Sequence, residues 1–416
     1  MSLVKLACPA CSCLCDDIEV ELEGNHIKRI ENACAKGASM FYSGENPDRR
    51  NSSQIDGQEV PLEKAIEEAA YLLERSSRRL IFGLDNSTLE AQAVGIDLAQ
   101  TLGAVLDDSS SFCQGALIEK ILDGTIPSCS LPEVKDNADL LIYWGSNPSH
   151  AHPRHLSKFS YYAYTEYNEL GWLPKVKLGC VEVRETEVSS LSNPFFKLKP
   201  GEDKDFIKAI LTAARRSGSN PGEEADEAKA FTELVKSSHF CVIFVGLGLT
   251  YALDGDFRLF AEMVQEFNLS TRIAVIPMVG HYNMRGFNQS LYQRIGYVNK
   301  VSFAGAISYG DEYSFLEQVR NHLADCVLIV GSNPFSNLPY SIMKELQGVP
   351  VVCLDPFATT TTKAAHIVIG TAISGLECDG RALRMDGEEI KLTQAKVSNY
   401  PSDEEVLGRL LDRLSR

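Results

Sequence analysis

Basic charge is scarce in this chain of 416 residues: 40 Lys and Arg face 56 Asp and Glu, a formal net charge of −16. Proteins that bind nucleic acid need a basic face to displace phosphate counterions, so the balance argues against that class. Long apolar runs are missing as well. No stretch approaches the ~18–20 residues that cross a bilayer, and the N-terminal MSLVKLACPACSCLC contains no signal-peptide apolar segment. The expectation is a cytoplasmic protein with neither a nucleic-acid nor a membrane partner. The phosphate loop G-x-x-x-x-G-K-S/T is absent, as is the G-x-S-x-G nucleophile elbow. GLGLT at Gly246–Thr250 follows an apolar run but lacks the spacing of a dinucleotide fingerprint. Histidine offers no metal pattern: His150, His152 and His155 lie close together in SHAHPRH, but Pro153 breaks the helix that would align two imidazoles one turn apart.

What the chain does have is cysteine, twelve in all. A chain long enough for two or three cores needs no disulfide staples, and nothing directs it to an oxidising compartment. Cys129, Cys180, Cys241, Cys326, Cys353 and Cys378 mostly sit in apolar settings such as HFCVIFVG and VPVVCLDP, and read as small core hydrophobes. Cys8, Cys11, Cys13 and Cys15 instead crowd into one loop, with Cys34 shortly after. The spacing Cys8-x2-Cys11-x3-Cys15-x18-Cys34 can be read as four thiolates around a [4Fe–4S] cluster, with Cys13 spare. Two readings compete with it: a four-cysteine structural zinc, which more often shows two Cys-x2-Cys knuckles, and a reduced loop without a ligand.

After the cysteine loop, DIEVELEG and HIKRIE alternate like the strands of a hairpin turning at Gly24-Asn25. PLEKAIEEAAYLLERSS has helical spacing with Pro at its start. From there short apolar runs (RLIFGLD, GAVLDD, ADLLIYW, VKLGCVEV, FCVIFVG, RIAVIP, DCVLIVG, VPVVCLD and HIVIG) alternate with helical stretches, including the acidic GEEADEAKA. Strands separated by helices imply parallel sheets with covered faces, hence an α/β fold. A hydrophobic run ending in GSNP occurs twice, at 145–148 and 331–334, suggesting two related α/β halves. The expected domains are an iron–sulfur-type segment over 1–55, a discontinuous α/β domain over 56–135 and 325–416, and a second α/β domain over 136–324.

CPACSCLCDDI, NACAKG, EAQAVG, SSFCQG, YWGSNPSHAHPRH, GLGLT, IPMVGHYNMRGFNQ and SGLECDGRALRMDG resemble, in order and over nearly the whole chain, the B subunit of formylmethanofuran dehydrogenase. That family belongs to the molybdenum and tungsten bis-pterin oxidoreductases, with formate dehydrogenase. The resemblance implies a formate dehydrogenase-like molybdopterin-oxidoreductase fold with a small N-terminal iron–sulfur domain and parallel-sheet α/β domains. The usual C-terminal barrel would be supplied by another chain. It further implies a [4Fe–4S] cluster on Cys8, Cys11, Cys15 and Cys34, next to molybdopterin or tungstopterin guanine dinucleotide, with Cys113 as the thiolate on molybdenum or tungsten. Gln114 and His281 match positions beside the metal. Asn147, His152, Arg154, Arg184, Asn283, Asn333 and Thr361 match cofactor-binding positions. Bland roles compete here: a structural hydrogen bond for His281, packing at a helix start for His152 and Arg154, and a surface turn for Glu377, Asp379 and Arg384.

The departures carry as much weight. Family members that reduce carbon dioxide have His directly after the metal-binding Cys and read P-M-R-G-H-Y-N; this chain has Gln114 and Val279. Histidine can carry a proton at neutral pH and Arg can hold formate, whereas Gln and Val do neither. The pterin-contacting D-P-R-x-T-x-T pattern becomes Glu182-Val183-Arg184-Glu185-Thr186-Glu187-Val188, and P-H-R-T-P-T-T becomes Pro356-Phe357-Ala358-Thr359-Thr360-Thr361-Thr362. The pattern resembles the formyltransferase/hydrolase complex of tetrahydromethanopterin- and methanofuran-linked one-carbon metabolism, whose B subunit has no redox role and works with an A-type amidohydrolase and C- and D-type subunits. The alternative is an active molybdenum or tungsten dehydrogenase subunit interconverting formate or formylmethanofuran and CO2.

Overall fold

The computed structural model describes residues 2–164, 176–215 and 226–415. Two compact units emerge: Met1–Phe112 with His281–Arg384 and Glu389–Arg416, and Cys113–Gly280 with Met385–Glu388. These limits differ from the expected 136–324. Leu117 and Ile126 are part of the second unit's core, while Val301–Ser302 pairs antiparallel with Val105 and Leu106 in the first unit. No helix among the described residues is long and apolar enough to cross a membrane.

The second unit is built on five parallel strands in the order Phe195–Lys197, Lys177–Glu182, Leu140–Trp144, Phe240–Val245, Arg272–Pro277. Strands covered on both faces must be apolar throughout, and the residues of Leu140–Trp144 and Phe240–Val245 are all buried. Trp144 meets Phe206, Phe231 and Phe260 in tilted and edge-on contacts from the covering helices, and its indole N–H is satisfied by Asp203 Oδ1 at 2.8 Å. The stretch near Pro153 forms two four-residue helices, Pro148–Ala151 and His155–Lys158. Of the acidic stretch, 226–230 opens the helix Asp226–Lys236, whereas 222–225 lie outside the described residues.

The first unit carries a nine-stranded sheet whose central parallel strands run Val105–Asp107, Arg79–Gly83, Cys326–Val330, Val351–Leu354, Ile367–Ile369. The helix Leu62–Arg75 begins after Pro61 and buries Ala65, Ile66, Ala69 and Leu73 in this sheet's core. A separate three-stranded antiparallel sheet, Ser2–Leu6, Ile18–Glu23 and His26–Glu31, contains the expected hairpin.

The two GSNP loops are structural equivalents. Each follows a strand, places its glycine in the left-handed region (φ +59° at Gly145, +58° at Gly331), and leads into a four-residue helix with Pro first. The strands around them also correspond. Reading outward from the GSNP strand, both sheets have the same neighbours in space, but the chain visits them in a permuted order.

In each sheet strand order reverses beside the GSNP strand, the place where open α/β sheets hold ligands. In the second unit the backbones themselves meet there. A Cβ on Gly145 would lie 2.5 Å from Leu249 N, and one on Gly246 2.1 Å from the Gly145 carbonyl oxygen.

Candidate functional site

The cysteine loop is held by its own backbone. Cys8 N–H donates to the Cys15 carbonyl at 2.9 Å and Leu14 N–H to the Cys11 carbonyl at 3.1 Å. Leu14 adopts φ +39°, an unusual conformation for a branched residue, and its side chain is anchored among Ala7, Tyr282, Ala382 and Leu392. Cys8, Cys11, Cys13 and Cys15 are buried; Cys34 is half-buried and caps the helix Ala35–Ser43, its sulfur accepting from Gly37 N–H. A Cβ on Gly37 would lie 2.9 Å from Cys8 Sγ and 3.9 Å from Cys34 Sγ, so only glycine leaves room between these sulfurs. Burial pushes the Cys8 and Cys13 thiols up, while a hydrogen bond with Cys13 brings Cys11 down to about 7 against the pull of burial. Among the described residues, no three His, Cys, Asp or Glu side chains converge as a single metal ion requires.

Beside this loop the first unit opens a cavity of about 370 Å³, lined by Lys36, Asn86, His281, Ser332, Asn333 and Asp355 among others. His281 Nδ1 lies 2.7 Å from Asp85 Oδ2, and Asp85 is fully buried. Burial pulls the His281 pKa down and Lys36 adds to that, but the Asp85 charge and hydrogen bond override both and raise it. Asp85 is the functional neighbour that sequence reasoning missed, because DNS after a strand reads as an ordinary turn. Asn283 is not free to reach the cavity: its amide donates to Ser87 O at 2.7 Å and accepts from Leu383 N–H at 2.8 Å. Asn333 Oδ1 and Thr361 Oγ1 bond one another at 2.8 Å. Ser332 Oγ is buried at the cavity wall without a hydrogen-bond partner among the described residues. Glu377 is buried in an ion pair with Arg50 at 2.8 Å, and Asp379 Oδ1 accepts from Gln394 N–H, both structural roles.

The remaining expected residues belong to the second unit. Cys113 is half-buried at its start. Gln114 is fully buried; its amide donates to Val245 O at 3.3 Å and accepts from Thr250 Oγ1 at 3.0 Å, tying the helix Gly115–Leu122 to the strand end at Val245. Val279 is buried, and its carbonyl oxygen is 2.7 Å from His152 Nε2. Arg154 caps the helix His155–Lys158. Asn147 and Arg184 line a second pocket with His150, Glu185, Thr186 and Glu187.

Comparison with known proteins fits this arrangement to one lineage. The chain is 33% identical to the B subunit of the tungsten-containing formylmethanofuran dehydrogenase 2 of Methanocaldococcus jannaschii, over 99% of this chain and 98% of that protein. The chain belongs to the family of formylmethanofuran dehydrogenase B subunits. The Methanococcus maripaludis protein of the same name is 32% identical over the same shares. A nitrate reductase of Klebsiella oxytoca is 22% identical, over 58% of this chain and 30% of its own length. No protein-family model matches. In solved structures the fold recurs in the crystal structure of the formyltransferase/hydrolase complex FhcABCD from Methylorubrum extorquens in complex with methylofuran. There the TM-score is 0.70 at 20% identity, covering 87% of this chain and 98% of the other. The mixed α/β fold with parallel sheets is therefore that of this family.

Two cofactor types implied by the family can be tested against these side chains. The donor set of the cysteine loop, thiols without carboxylate or imidazole, suits an iron–sulfur cluster, and at Gly37 two of them, Cys8 Sγ and Cys34 Sγ, lie within 4 Å of where a Cβ would stand. For a guanine dinucleotide the halves differ. The first unit offers Lys36 and the unpartnered Ser332 hydroxyl at an open cavity, whereas the second presents the carboxylate of Glu187 to its own hydrogen-bond donors.

Proposed function

We propose that this chain is the B subunit of a formylmethanofuran dehydrogenase-like formyltransferase/hydrolase complex. In this reading it serves tetrahydromethanopterin- and methanofuran-linked one-carbon metabolism, where the formyl group leaves as formate, and performs no redox step of its own. Gln114 carries the reading. Where the resemblance puts a proton-carrying His, this chain has a buried amide committed at both ends, to Val245 and Thr250. An amide does not titrate near neutral pH, and buried Val279 cannot grip a formate ion.

Hydrolysis would fall to an A-type amidohydrolase partner, with C- and D-type subunits completing the assembly; the four-letter FhcABCD composition of the structural relative supports this. A cytoplasmic location suits a loop of reduced thiols. Cys8, Cys11, Cys15 and Cys34 would hold a [4Fe–4S] cluster, which supplies one-electron transfer when bound. Here those cysteines, with Gly37 and Leu14, would keep it as a structural element. Cys113 would be a relict ligand, and His281, held by Asp85, would act at the cavity as a proton carrier and not as a metal ligand. The match to tungsten enzymes over 99% of the chain favours one second reading, an active molybdenum or tungsten dehydrogenase subunit.

Iron, molybdenum and tungsten measured on the purified complex, with formate-dependent dye reduction, decide between them. We expect iron at about four per chain, neither heavier metal, and no dye reduction. A full complement of either heavier metal with dye reduction would sink the proposal.

A further inference from the structure

The internal repeat lets one half of the chain be read against the other. In the first unit Asn333 Oδ1 accepts from Thr360 Oγ1 at 2.8 Å, Thr361 N–H at 3.1 Å and Thr361 Oγ1 at 2.8 Å. Thr359 and Thr362 form a reciprocal cap at the start of the helix Thr360–Ala364. The second unit repeats the arrangement with Asn147 for Asn333 and a Thr186–Ser189 reciprocal cap. At the position of Thr360, however, stands Glu187. Its carboxylate accepts from Asn147 Nδ2 at 2.7 Å and lies 3.0 Å from His150 Nε2. The Asn147 hydrogen bond first, then its own backbone N–H and His150, hold this carboxyl below the usual carboxylate range. Glu185, paired with Lys197 at 3.0 Å, lines the same pocket, so two carboxylates and one guanidinium, Arg184, face it.

We infer that Glu187 bars the second unit from holding an anionic dinucleotide, leaving such a ligand at most the first unit. A pyrophosphate would compete for the Asn147 amide and the His150 imidazole that Glu187 already engages, and it would meet a like charge there. The first unit has no such carboxylate at the corresponding position: Thr360 is uncharged and turned onto Asn333. This inference rests on the family membership within the proposed function, and deepens it. It does not depend on the loss of redox chemistry, which formate-dependent dye reduction reads separately.

The test is calorimetric titration of GDP into the purified complex carrying wild-type chain, Glu187→Thr or Glu187→Gln, with acid release and counting of guanine dinucleotide from the same preparations. In wild type we expect no GDP site attributable to the second unit and no more than one released dinucleotide per chain. Glu187→Thr should gain one equivalent of GDP, at least about tenfold tighter than any second-site binding in wild type. Glu187→Gln, which keeps the acceptor but not the charge, should gain less. Adding Arg184→Ala to Glu187→Thr should remove the gained equivalent. Two dinucleotides per wild-type chain would overturn the inference, as would a Glu187→Thr complex with unchanged melting that gains no GDP. Were Glu187→Thr to misfold, the same comparison would be made with Glu187→Gln, and no gain there would count against it.

Discussion

Asp85 and His281, 196 positions apart in sequence, meet at 2.7 Å between Oδ2 and Nδ1. Asp85 has no solvent to share its charge, and Ser109 N–H at 3.3 Å is the other donor to that oxygen. The carboxylate fixes the ring so that its other nitrogen is left for the cavity, where Lys36 is the nearby cation. A His–Asp pair of this kind orients the imidazole and favours its charged form.

Because the His281 pKa is raised above 6.5 in the fold, its protonation adds stability that is present below that value and lost as pH rises through the raised one. Asp85→Asn should therefore cost more stability at pH 6 than at pH 8.5. Thermal melts across that range check it; a pH-independent loss would mean that the pair is no more than a hydrogen bond.

Asp355 behaves in the same sense, although its neutral form is the protonated one. Burial pushes it up to about 7, with Asp403 adding to the rise, while the Phe357 N–H and Arg50 pull it down. A carboxyl raised from 3.8 favours the fold when protonated, so its contribution is full below pH ~4 and is lost as pH climbs through about 7. Asp355→Asn keeps an acceptor for Phe357 N–H, now at 2.7 Å, and cannot ionise. The melting temperature of the variant relative to wild type should rise between pH 5 and pH 8, corresponding to roughly 1–3 kcal/mol.

Gly145 and Gly124 both have positive φ, +59° and +77°, but only Gly145 has backbone atoms in the way of a side chain. Gly124→Ala should cost on the order of 1 kcal/mol from backbone strain alone. Gly145→Ala forces apart the loops that meet at Leu249 N, and should cost several times more. Paired denaturant unfolding measurements separate the two, and equal losses would show that the loops yield easily.

Gly37→Ala tests the cysteine gap. A methyl group 2.9 Å from Cys8 Sγ should empty the loop of iron while leaving the α/β units folded. Iron analysis alongside circular dichroism reads this directly, and full iron content in the variant would show that the loop yields to the methyl group and that the gap at Gly37 is not needed.

The cysteine spacing and the strand-and-helix alternation are legible in the residues themselves, because each depends on neighbours within a turn or a short loop, whereas Gln114 and Val279 stand out as replacements only against the family resemblance. The GSNP repeat was legible too, although the permuted strand order around it was not. What chain order conceals is pairing at a distance. Gln114 reaches Val245 across 131 positions and Asp85 reaches His281 across 196. The seam at 112 and 113 carries no Gly- or Pro-rich linker to announce it, since Phe112 and Cys113 are consecutive in SSFCQG.

Sequence alone determined that this is an acidic α/β chain with a thiol-rich loop and an altered version of a redox family's motifs, because composition, period and spacing are local properties. Tertiary structure decided what those residues now do. Sheet register brings the ends of separated strands together, and only there do the Gln114 amide find two partners, Asp85 come to lie behind His281, and Glu187 take the hydrogen bonds of Asn147 and His150.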